Sequence, residues 1–176
     1  AAAGAGGVLL LAGGPLPAAQ LLFLIAAATL LGGGIVVVRR QLALFTVMLA
    51  VGAACWLLGT LVWWSSGNVH AAVPLWLAFL ILTIAGERLE LTRFLPARPT
   101  AAPSFVAVSA LILAGALLAP FEEGVGHGLF AAGVLAMAAW LLIFDIARHN
   151  ARQQGLTRSE ERRVGKGCRS RWAPYH

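Results

Sequence analysis

Two groups of charged residues close long apolar runs. Glu87, Arg88, Glu90 and Arg93 follow one of them, and Asp145 and Arg148 end another. Carboxylates and guanidinium groups at the edge of hydrocarbon can do one of two things: relay a proton or anion, or pair and hold helices together. Glu90 and Arg93 are spaced i, i+3 and can pair on one helix face. Glu87 and Arg88 point about 100° apart on a helix, so at least one of them needs a partner from another element. Asp145 and Arg148 arrive at the same membrane depth, which makes Arg88–Asp145 or Glu87–Arg148 the expected bridge. A charge at mid-bilayer costs roughly 2.5–3.5 kcal/mol on insertion scales, and less near the boundary. That cost favours pairing, so a structural clamp is the leading expectation and an ion path the alternative.

Histidine comes next. His70 and His127 are expected at one membrane face, where two imidazoles could ligate a metal or haem. Neither has a second ligand at i+3 or i+4, and no cysteine accompanies them. They remain weak candidates, the expectation is loop histidines at the interface, and no metal site is assigned. His149, i+4 from Asp145, is expected to be a surface partner of that carboxylate. There is no phosphate-binding loop, dinucleotide fingerprint, HExxH, nucleophile elbow or CxxC. No catalytic residue is assigned, and an enzyme is not the favoured reading.

These residues are positioned by membrane-length elements. Of the 176 residues, 60% are hydrophobic and 11% charged, against roughly 25% charged in soluble domains. The spacing predicts spans at about 17–38, 42–64, 71–90, 104–121 and 125–146, since about 20 helical residues at 1.5 Å each cross a core of roughly 30 Å. The fold class is all-α: a polytopic transmembrane helix bundle of about five spans, occupying residues 1–157. Its partner is the lipid bilayer; protein partners are not legible. The net charge of +6 comes from connections and tail, so no nucleic-acid partner is expected. Cys55 in an apolar run and Cys168 in the tail do not form a disulfide framework. Ahead of the first span, the apolar residues 8–12 end in Gly13-Gly14-Pro15 and are expected to be the last turns of a helix.

Within the spans, Gly32-Gly33-Gly34 and the Gly124/Gly128 GxxxG are expected at helix contacts. Trp63 and Trp64 are expected in an interfacial belt. Pro120 is expected to close the fourth span. The connection with Arg39 and Arg40, the one with Arg93 and Arg98, and the stretch with Arg148 and Arg152 alternate with residues 65–70 and 122–127, which hold no Lys or Arg. Positive residues favour the cytoplasmic side, so the C-terminal end is expected there.

Composition changes at residue 158. The tail RSEERRVGKGCRSRWAPYH closely resembles the translation of a common sequencing-library adapter, which has glutamate where Gly167 stands and serine where Ala173 stands. Residues 158–176 are therefore expected to be a non-native, disordered tail. The chain is expected to be a fragment, continuing before Ala1 and beyond Thr157 in the natural protein.

With the tail set aside, LTIAGERLELTRFLP and FDIARHNARQQGLTR resemble a family of uncharacterised polytopic bacterial membrane proteins. Its members carry AGERLEL before Ser or Thr, Arg and a hydrophobic residue, and DIAR ahead of a Gly-Leu-Thr segment. Here residues 85–94 carry the first motif, and 145–148 with 155–157 the second; His149-Asn150 departs from the family's basic run. The resemblance implies a bacterial inner-membrane location and further helices, some with histidines in a Gly-His-Ala-Pro context suited to haem or metal. In topology the family is similar to haem-bearing membrane proteins of nitric-oxide response. The expectation is an integral membrane protein in an accessory or structural role linked to haem, respiratory or nitric-oxide-response chemistry. The alternative is a component of a small-molecule or ion transporter. Haem is the implied cofactor of the full-length protein.

Overall fold

The computed structural model describes residues 1–91 and 100–144. Six helices follow one another in this stretch: α1 (Ala2–Leu11), α2 (Leu16–Arg40), α3 (Leu44–Ser66), α4 (Val69–Leu91), α5 (Ala101–Leu118) and α6 (Glu123–Phe144). No strand occurs among the described residues. Helices α2 to α6 are each long and apolar enough to cross a membrane.

Local chemistry sets the boundaries. α1 ends where Gly13 turns left-handed at φ 71°, with the Gly13 and Gly14 N–H groups donating to the carbonyls of Leu10 and Leu9. Pro17 sits in the first turn of α2, where its missing N–H costs nothing. At the other end Arg39 and Arg40 occupy the last turn, beside the negative end of the helix dipole. The hydroxyl of Thr46 accepts the Ala43 N–H at 3.2 Å and donates to the Ala43 carbonyl at 2.8 Å, starting α3. Gly67, at φ 66°, closes α3 with its N–H on the Trp63 carbonyl. The Asn68 side chain then takes the His70 N–H at 3.0 Å and opens α4.

Two sequence expectations shift here. α5 begins at Ala101, three residues before Ser104, because Pro103 is tolerated in a first turn. It ends at Leu118, so Pro120 stands in the turn and not in the helix. α6 in turn takes in Glu123, whose carboxylate suits the positive N-terminal end.

Packing runs between chain neighbours, and α4 is the element that meets α3, α5 and α6. The α5–α6 pair is antiparallel and regular. Phe105, Ser109, Ile112 and Ala116 are buried along α5, with Ala119 just past its end, and Gly126, Phe130, Gly133, Met137 and Trp140 along α6. Both stripes step by three or four residues, the seam of helices packed side by side. Gly115 lies against the Phe130 backbone, Gly126 against Ala119, and Gly133 against Ile112. Each step down one helix is matched by an equal step up the other. Glycine is required because a Cβ at Gly133 would stand 2.8 Å from Ile112 Cγ1 and 2.9 Å from its nitrogen.

The expected glycine contacts are only partly found. Gly34 packs on Ala50, with its Cβ position 3.4 Å from the Ala50 Cα, but Gly32 and Gly33 meet nothing within 4 Å. Gly124 and Gly128 likewise face open space, and Gly126 between them makes the contact. A turn of 100° per residue explains it: in a run of glycines, only one faces a given neighbour. Gly32→Ala and Gly33→Ala are therefore expected to stabilise α2 by about 0.5–1 kcal/mol each, by restricting the unfolded backbone. Thermal unfolding in lipid nanodiscs measures this; a loss would mean a neighbour covers that face.

Candidate functional site

The charged end of α4 is built on a helix that buries one face. Leu82, Ala85, Gly86 and Leu89 face the core, while Glu87, Arg88 and Glu90 are exposed. Burial of the apolar stripe thus aims the charged groups outward, at the end where α2 also finishes with Arg39 and Arg40. That shared end follows from antiparallel packing. Gly34 meets Ala50 while Gln20 meets Trp63 across α2 and α3. Gly86 meets Met48 while Gly59 meets Trp76 across α3 and α4. Arg93, Asp145 and Arg148 lie outside the described residues, as does His149. The Glu90–Arg93 pair and both bridges between the third and fifth spans therefore each have one member outside the described residues.

The histidines stand apart from this end. His70 is exposed near the start of α4. His127 is exposed on the first turns of α6, with Nδ1 2.7 Å from the Glu123 carbonyl. A carbonyl oxygen only accepts, so this hydrogen bond uses a proton on Nδ1. Among the described residues no group of three or more His, Cys, Asp or Glu side chains could hold a metal ion. Two exposed imidazoles with no shared partner do not form a haem pocket, so the described residues do not fit haem by themselves.

Sequence reasoning missed a polar and aromatic cluster at the opposite end of α2, α3 and α4. Trp63 and Trp64 share a belt position in sequence, yet only Trp64 is exposed. Trp63 is 6% exposed and packs edge-on against Phe23 at 6.1 Å and Trp76 at 5.6 Å. Gln20, also nearly buried, donates from Nε2 to the Trp63 carbonyl over a long 3.4 Å. Trp76 lies on Gly59, where a Cβ would come within 2.7 Å of its ring, and its Nε1 is buried without a hydrogen-bond partner among the described residues. The available signal was Gln20 itself, an amide in an apolar run, since polar groups in membrane helices tend to face other helices. A second missed group is Ser109, whose hydroxyl is fully buried on α5 and has no hydrogen-bond partner among the described residues.

Apolar helices of spanning length, packed through glycine and aromatic contacts, define a multi-pass α-helical membrane protein. Residues 1–160 match a family described as a domain of unknown function, DUF8744, and the chain belongs to that family. No curated protein and no solved structure matches it.

Proposed function

We propose that this protein is an accessory or structural helix bundle of the bacterial inner membrane, with its arginine-bearing end in the cytoplasm. The carrying observation is the antiparallel course of α2, α3 and α4. It brings Arg39, Arg40 and Arg88 to one end and leaves residues 65–70, which contain no Lys or Arg, at the other. Single cysteines at Ser65, Glu122 and Arg39, placed in a chain lacking Cys55 and Cys168, test the orientation. A membrane-impermeant maleimide added to intact cells is expected to label the first two positions and spare the third. Labelling of all three from one side would refute the arrangement.

The accessory role is read beside haem, respiratory or nitric-oxide-response chemistry, on the likeness of residues 85–94 and 145–157 to the bacterial family described above. In this reading the haem is carried elsewhere, by other residues of the natural protein or by a partner. The test is the absorption spectrum of the full-length protein purified from its native membrane. A Soret band that follows the protein through purification supports the reading; no band, with substrate-dependent flux in vesicles, favours a transporter component.

The clamp belongs to the same proposal. It pairs Arg88 with Asp145, or Glu87 with Arg148, across the third and fifth spans, and in the first case Arg88→Ala leaves a carboxylate uncompensated. Removing one member of a buried pair costs about 3–5 kcal/mol and less at a wet boundary, so a lower melting temperature in detergent is expected. An unchanged melting curve counts against the clamp.

A further inference from the structure

Charges of opposite sign stand at one membrane depth on two helices that α3 keeps apart. Arg39 and Arg40 end α2, and Glu87 and Glu90 lie in the last turns of α4, all exposed. Their heights follow from α3. Gly34 of α2 lies against Ala50, and Gly86 of α4 lies against Met48. Because α3 runs opposite to both helices, Gly34 is level with Ile84, and Arg39 is level with Leu89. Arg39 therefore stands between Glu87 and Glu90 in height, about 3 Å from the first. Among the described residues none of these four side chains has an ion-pair partner.

The helix faces that lead to these charges are uncovered as well. On α2 the exposed positions Ile25, Ala28, Gly32 and Ile35 run into Arg39; on α4 the exposed Leu77, Leu80 and Ile84 run into Glu87. Both rows step by three or four residues, so each is one stripe ending in a charge. The same levelling sets Leu80 between Ala28 and Gly32, and Ile84 between Gly32 and Ile35. The bulky row of α4 thus comes opposite gaps in the row of α2, as ridges meet grooves. Lipid tails serve an apolar stripe as well as a protein does. They do not serve an arginine at the end of one stripe and a glutamate at matching height on the other. Two copies in one bilayer share the same depth by necessity, so the match in height is automatic between copies and would have to be arranged for any other partner.

We infer that copies of this chain pack side by side in the membrane, α2 of one against the exposed stripe of α4 of the next, with Arg39 of one copy paired to Glu87 of the other. Such packing is separate from the accessory role and from haem; it takes the Arg88–Asp145 form of the clamp, which leaves Glu87 available. In nanodiscs that hold a single chain this face meets lipid, so the gain expected from Gly32→Ala stands there. The test is energy transfer between donor- and acceptor-labelled full chains in phosphatidylcholine vesicles, with the label on Ser65→Cys in a chain carrying Cys55→Ala and Cys168→Ser. With the interface unaltered, transfer is expected above the level of random encounter, and is expected to persist when phosphatidylglycerol replaces part of the lipid. Glu87→Arg alone and Arg39→Glu alone are each expected to cut the excess transfer about fivefold, the scale of an exposed pair turned repulsive. Arg40 is kept so that the orientation signal remains. Mixing the Glu87→Arg chain with the Arg39→Glu chain is expected to restore the transfer, because the swapped charges meet only between copies. Glu87→Gln, at an exposed position where the fold is not at stake, is expected to cut it about twofold. Transfer at the random level with the interface unaltered overturns the association, and its loss on adding phosphatidylglycerol assigns Arg39 to lipid headgroups instead. A mixture no better than either variant alone, or an unchanged Glu87→Gln, overturns the pairing.

Discussion

Gly115→Ala is expected to lower stability by about 3 kcal/mol, the upper part of the range for overpacking a tight contact, while Gly128→Ala thirteen residues away is expected to be neutral or slightly stabilising. The two substitutions add the same methyl group to helices of one hairpin. They differ in what that methyl meets. At Gly115 it would collide with the backbone of Phe130, which cannot swing aside as a side-chain tip can. At Gly128 it meets nothing within 4 Å. Helix propensity favours alanine at both sites by about 1 kcal/mol, so only the collision can make Gly115→Ala destabilising. Reversible unfolding in mixed micelles or nanodiscs gives both values. Equal effects at the two positions would mean that the α5–α6 contact is looser than described.

Trp140→Ala is expected to cost about 3–5 kcal/mol, as large-to-small changes of buried aromatics do. Trp140 is 4% exposed. It packs edge-on against Phe105 at 5.0 Å and stacks on Phe144 at 5.1 Å. Its Nε1 donates to Ser104 Oγ at 3.0 Å and approaches the Ala101 carbonyl at 3.3 Å. Lipid is as apolar as the bundle interior, so transfer out of water contributes little here and the loss comes from packing and the polar tether. Trp140→Phe separates the two: it keeps a ring and removes the donor, and is expected to cost about 1 kcal/mol. A Phe variant as damaged as the Ala variant would place most of the effect in the hydrogen bonds.

Much of the architecture was legible in the sequence, because hydrophobic length and terminal arginines are one-dimensional signals. The helices fall on the expected spans, with shifts of a few residues at Ala101 and Leu118 where proline positions admit two readings. What sequence could not supply was azimuth. Gly32 and Gly34 look equivalent in a run, as do Trp63 and Trp64, yet only one of each pair faces a neighbour. In a helix that is apolar all round, no polar face marks the outside, so the inward side is set by partners distant in the chain. The same limit hid Ser109 and the pairing of Gln20 with Trp63. The expected charged end was legible in Glu87, Arg88 and Glu90 because charge density marks a boundary without any need for azimuth.

The weak engagement of α2 bears on how the protein is made. Only 6% of its most apolar window is buried within the bundle, against 39% for α3 and for α4. A segment so little covered by its companions is expected to enter the bilayer on its own hydrophobicity, and α3 and α4, apolar enough to span as well, are expected to add mutual docking to theirs. Damage to the α5–α6 hairpin is therefore expected to leave an inserted, incompletely assembled protein in the membrane for quality-control proteases, and not a chain stranded in the cytosol.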